Sequence, residues 1–133
     1  VLSGGGEALA AALAPIVAEI DALLTETTLS DAMEEQYGEL NDRFHSTVVE
    51  SAADSLLRDC VARCNVVPFT SPKAVAFEDN EEAEILAVLH YAQRQHHAIL
   101  DAFRAGDAMR VEMLFREHAT TQESNIRTPL QAR

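Results

Sequence analysis

The chain has 133 residues, enough for one domain with a real core. Its 22 Asp+Glu against 10 Lys+Arg give a formal charge of -12, which repels nucleic acid and anionic membranes, and no basic stripe offsets it. A hydrophobic fraction of 47% excludes bulk disorder, and no apolar run approaches the ~18 residues of a membrane span. The opening Gly4-Gly5-Gly6 lacks the basic region and cleavage site of a signal peptide. A cytoplasmic location is expected, and a start at Val1 rather than Met reads as a fragment taken from mid-protein.

Residues 7–14 (EALAAALA) favour helix by propensity, and Pro15 marks the first turn of a second helix with Ile16, Val17, Ile20, Leu23 and Leu24 on its apolar face. Residues 25–29 form a polar, β-branched break. Ser30 is a good N-cap for a third helix running to about Ala53. Asp54 can cap a fourth, with Leu56, Leu57, Cys60, Val61 and Cys64 facing inward. The two cysteines, one helical turn apart, form neither a CxxC motif nor a good disulfide pair and read as reduced core thiols. Residues 65–72, with Pro68 and Pro72, read as a loop, and the acidic run 78–82 suits a helix start. A long helix follows to about Ala105, where Gly106 stops it. Asp107 caps a last helix to about Asn125, before Pro129 ends the structured part. With no alternating strand pattern, the expected fold is an all-α antiparallel bundle of about six helices in a single domain, its core within residues 7–125.

The chemistry sits on the inward stripes. At about 100° per residue, the third helix buries Tyr37, Asn41, Phe44, Val48 and Ala52, and His45 falls on the same face. The long helix turns Ile85, Leu89, Ala92, His96, Ile99 and Phe103 inward and His90, Arg94, His97 and Asp101 outward. On the last helix Val111, Leu114 and Phe115 lead to His118, with Gln122 and Asn125 on the same face. A lone inward histidine is ordinarily a satisfied core residue. Three of the five histidines, from three helices and joined by Asn41, instead suggest a divalent metal held by Asn41, His45, His96 and His118. Neutral imidazoles bind zinc, nickel, iron or copper, and an amide oxygen adds a harder ligand, so the donor set does not fix the metal; zinc is the first expectation, with nickel, manganese or iron as further candidates. Because all four donors are neutral, the site would keep its positive charge for a small carboxylate at the open positions.

Catalytic patterns fit less well. There is no HExxH, and no Glu lies three residues before any histidine, as a di-iron bundle requires. Gly4-Gly5-Gly6 lacks the Lys-Ser/Thr of a phosphate loop, and Ser46 and Ser51 have no GxSxG context.

Leu40-Asn41-x-x-Phe44-His45 with Ser51-Ala52-Ala53, the run from Gln95 to Phe103 (QHHAILDAF), Gly106-Asp107 and Arg116-Glu117-His118 resemble the FCD domain. This is the C-terminal effector-binding domain of FadR-subfamily GntR-type bacterial transcription regulators. The resemblance spans about residues 7–125. It implies a helical bundle with a divalent metal on an Asp or Asn and three histidines, at positions Asn41, His45, His96 and His118. It also implies a small organic acid bound beside the metal, homodimerisation, and operator DNA reached only through a separate N-terminal winged helix-turn-helix domain that this chain lacks. Two departures stand out. The Arg and Glu that the family's first helix turns to the effector pocket are reduced here to Glu7, and Asn41 stands where Asp is commoner. Candidate clamps for a carboxylate effector are Arg63, Arg94 and Arg43, with Gln122 and Asn125 as hydrogen-bonding partners.

The reading favoured by the sequence is therefore a non-catalytic, metal-dependent sensing domain. A small helical-bundle metalloenzyme or metal carrier using the same histidines is the alternative, and a helical oligomerisation module with hydrogen-bonded core histidines is a third.

Overall fold

The computed structural model describes residues 5–25, 27–52, 56, 59, 60, 63 and 82–131, with side chains described as far as 121 in the last helix. The fold is an all-α bundle. Its long helices are α1 (Gly5–Leu23), α2 (Asp31–Ser51), α3 (Glu82–Arg104) and α4 (Ala108–Gln131). Helix α1 packs against both α2 and α3, and α3 packs against α4. Among the described residues no helix is long and apolar enough to cross a membrane.

Pro15 lies inside α1 and starts no new helix. The buried positions Leu9, Ala10, Leu13, Ile16, Val17, Ile20 and Leu23 keep a three-to-four spacing straight through it. Pro15 and Ala11 are both exposed, so the carbonyl that the missing N–H leaves open faces water. Continuous burial of one stripe therefore carries the helix across a residue that would break it in isolation. The first two expected helices are one.

The remaining boundaries follow local chemistry. The Ser30 side chain accepts from the Met33 backbone N–H at 3.2 Å and caps α2. At the end of α3, Asp107 N–H donates to the Ala102 carbonyl and Gly106 N–H to that of Phe103, with Gly106 at φ 66°. This is a Schellman closure that needs a left-handed residue. The Asp107 carboxylate then accepts from Arg110 N–H at 3.0 Å and opens α4. Helix α4 continues past Asn125 and Pro129 to Gln131, since a proline in a final turn costs one hydrogen bond and need not end it.

The core is built on α1, α2 and α3 around Leu13, Val17, Ile20, Tyr37, Phe44, Leu89 and Ile99, with Val111, Leu114 and Phe115 of α4 packed against it. Leu56 and Cys60, expected to face inward, are exposed. Amphipathic spacing marks a common face but does not supply the neighbour that covers it. Leu57, Val61, Cys64 and the expected loop at 65–72 lie outside the described residues.

Candidate metal centre

Helix α2 delivers Asn41 and His45, α3 delivers His96, and α4 delivers His118. The faces follow the stripes: Phe44 and Tyr37 are buried beside Asn41 on α2, as are Leu89, Ala92 and Ile99 beside His96 on α3. Asn41 and His96 are 0% exposed and His118 is 2% exposed. His45 keeps partial exposure as a residue, but its ring has Phe44, Phe115, His96 and His118 as neighbours. α2 makes no close backbone approach to α3 or α4 among the described residues. Side-chain rings span the gap, with Phe44 4.3 Å from His96 and His45 5.1 Å from His118 between centroids.

Potential ligand atoms of His45, His96 and His118 all lie within 4.8 Å of one another. The Nε2 atoms of His45 and His118 are 3.2 Å apart, and the two rings stack. Metal–nitrogen bonds of about 2.0–2.1 Å at a tetrahedral angle would put two such atoms about 3.3 Å apart. His96 Nε2 is buried and has no hydrogen-bond partner. A buried acceptor left this way costs about 1–3 kcal/mol, so an unoccupied role at this atom is expensive. The three donors fit a divalent ion.

Burial keeps the imidazoles neutral. It pushes His45 down to about 3, helped by the charge His118 would carry, and His118 down to about 4. Burial, then His118, His45 and His97, hold His96 well below its ordinary value. Neutral imidazole is the form that binds a metal.

Behind the rings stand residues that the sequence did not single out. His96 Nδ1 lies 3.0 Å from Gln93 Oε1, and His118 Nδ1 lies 2.8 Å from Gln95 Oε1. Gln93 Nε2 donates to the Val17 carbonyl at 2.9 Å and to Asp21 Oδ1 at 2.7 Å, tying the cluster to α1. Asp21 also meets His97 Nε2 at 2.9 Å. Burial pushes the Asp21 carboxyl up, but the hydrogen bonds from Gln93 and His97 and the His97 charge outweigh it and hold it below its usual value. Gln93 shares a face with His96 three residues on, which is the one sequence signal for it. Gln95 serves a histidine on another helix, and nothing local announces that.

The structure brings together His45, His96 and His118; Asn41 is buried one turn before His45 on α2. It does not bring the expected clamps to them. Arg43 points outward and pairs with Glu19 at 3.2 Å. Arg94 is exposed, with its guanidinium 5.4 Å from the Tyr91 ring centroid. Arg63 is exposed as well. Arg43 stands two residues after Asn41 and Arg94 two before His96, about half a helical turn round from the buried face, and a long cationic side chain on the outer face finds water or a surface carboxylate first. The side chains of Gln122 and Asn125 lie outside the described residues.

Fold and cluster together define a helical bundle with a buried three-histidine centre fed by three helices. The family model of the FCD domain matches residues 5–121, and the chain belongs to that family. No curated protein matches it in sequence.

Proposed function

We propose that this chain is the sensing domain of a GntR/FadR-type transcriptional regulator. It binds a divalent transition metal through His45, His96 and His118, with Asn41 as an oxygen ligand, and takes up a small carboxylate beside it. The observation that carries this reading is the buried, partnerless Nε2 of His96 next to two Nε2 atoms at ligand spacing. Zinc suits the donor set first, with nickel, manganese or iron as further candidates.

A bound ion would supply uncompensated positive charge and open coordination positions, which a carboxylate can fill. The chain's own residues do the rest. Phe44 and Phe115 flank the imidazoles and limit water. The ligands come from α2, α3 and α4, so occupancy fixes these helices relative to one another. An effector that binds two helix arrangements with different affinity would shift the placement of a winged-helix domain outside this chain and so alter operator binding, in a homodimer. In this reading the charge that attracts the carboxylate comes from the metal, since Arg43 and Arg94 are engaged elsewhere.

A hydrolytic metalloenzyme would want a carboxylate general base at the metal. The buried polar side chains among the described residues are Asn41, Gln93, Gln95, His96 and His118, amides and imidazoles only, which supports the sensing role over catalysis.

Elemental analysis of the purified chain tests the metal. About one equivalent in the wild type, lost in an Asn41→Ala, His96→Ala double variant, is expected. A wild type that is metal-free and cannot be loaded would sink the reading. A thermal-shift screen of small carboxylates, with and without metal, then tests the effector, and stabilisation only when metal is present is the expected result.

A further inference from the structure

The polarity of the two glutamine amides is fixed by their own surroundings. Gln93 Nε2 faces a backbone carbonyl and a carboxylate, both of which only accept, so Gln93 Oε1 is the atom turned to His96. The Thr121 hydroxyl donates to the Glu117 carbonyl at 3.2 Å, which leaves its oxygen to accept from Gln95 Nε2 at 3.4 Å and turns Gln95 Oε1 to His118. A carbonyl oxygen at 2.8–3.0 Å from an imidazole nitrogen requires the proton on that nitrogen. Both buried rings therefore carry Nδ1–H, and a neutral ring with Nδ1–H has a bare lone pair on Nε2. His45 differs. Its Nε2 lies 3.2 Å from the bare His118 Nε2, and two lone pairs do not face each other at that distance without a proton or a cation between them.

We propose that Gln93 and Gln95 are positioning residues that preset His96 and His118 as Nδ1–H tautomers, so that both present bare Nε2 atoms to one cation. His45 is then the ligand that changes. In the metal-free protein it carries Nε2–H and donates to His118, and on loading that proton leaves Nε2 while Nδ1 takes one up, so the ring stays neutral and the net proton count is unchanged. Hydrogen-bonded partners of this kind orient ligands and raise their basicity, and their loss commonly costs 10–100-fold in metal affinity. The assignment rests on the metal reading for its purpose, while the tautomers themselves are a property of the metal-free protein.

Long-range ¹H–¹⁵N correlation of the histidine rings at neutral pH reads the tautomers directly. His96 and His118 are expected as Nδ1–H with and without zinc, and His45 as Nε2–H without zinc and Nδ1–H with it. Zinc affinity, measured by competition with a chromophoric chelator, should fall 10–100-fold in Gln95→Met and in Gln93→Met. Gln95→Glu, which keeps the acceptor, should restore it. Gln93→Met also loses contacts to α1, so Gln95 is the cleaner position, and melting of the metal-free variants separates a folding defect from a ligand defect. An Nε2–H signal for metal-free His96 or His118, or zinc binding in Gln95→Met as tight as in wild type, overturns this inference and leaves the metal reading intact. A wild type with the expected tautomers that takes no zinc overturns the metal reading, and with it the purpose assigned to the glutamines.

Discussion

His45 on α2 and His118 on α4 stack with ring centroids 5.1 Å apart and an interplanar angle of 18°, although they are 73 residues apart in sequence. Their Nε2 atoms, 3.2 Å apart, link two helices whose backbones make no close approach among the described residues. Removing a metal from this link should loosen α2 from α4. We expect a chelator to lower the melting temperature of the loaded protein, with re-addition of zinc restoring it. At free zinc of 100 times Kd the stabilisation is about 2.7 kcal/mol. Differential scanning calorimetry across a zinc series checks this, and a melting temperature independent of zinc would count against it.

His45→Ala should abolish this response while leaving a folded bundle, because His45 is only partly buried as a residue, where His96 and His118 are buried. Far-ultraviolet circular dichroism is expected to stay helical, while bound metal falls below one equivalent.

In the metal-free protein the three imidazoles set an acid limit. Burial depresses their folded-state values, to about 3 for His45 and about 4 for His118. Above the ordinary value of 6.5 both folded and unfolded forms are neutral, and no stability is lost. Below it the unfolded chain takes up protons that the folded chain refuses, so stability falls with falling pH until the folded values are reached. Each histidine contributes about 1.4 kcal/mol per pH unit within that window. Urea midpoints measured from pH 7 to 4 should therefore drop steeply, and His118→Gln should flatten the slope.

Phe44 is 0% exposed and its ring lies 4.3 Å from that of His96. Phe44→Ala should cost about 3–5 kcal/mol, as aromatic truncations in cores do. Phe44→Leu should cost less and still weaken zinc binding, because the aromatic ring that packs against His96 is gone. Chemical denaturation combined with the chelator competition separates the two effects.

Gly106 adopts φ 66°, so a Cβ there is strained even though nothing lies within 4 Å of it. Gly106→Ala should lower stability by roughly 1–2 kcal/mol with zinc affinity unchanged, since ten residues, about 15 Å of helix, separate it from His96.

Much of this was legible from residue order. The Ser30, Gly106 and Asp107 signals are local, because a cap or a left-handed turn is satisfied by atoms a few residues away. The inward stripes carrying Asn41, His96 and His118 were legible because helical periodicity fixes a side chain's face whatever it meets. Pro15 was misread as a boundary because its local cost is real, and only the buried run from Leu9 to Leu23 outweighs it. Leu56 and Cys60 were misread for the opposite reason: their spacing is amphipathic, yet they are exposed.

Sequence alone thus determined the helical class, the Ser30 and Asp107 caps and the inward placement of Asn41, His96 and His118, since all of these depend on propensity and period. Only the tertiary structure decided that the histidine rings converge, that Arg43 turns to Glu19, and that Gln95 serves His118 from another helix. Those facts depend on which helix lies beside which and at what distance. Hydrogen bonds reach about 3 Å, and no rule of spacing along a chain fixes a separation that fine between helices far apart in sequence.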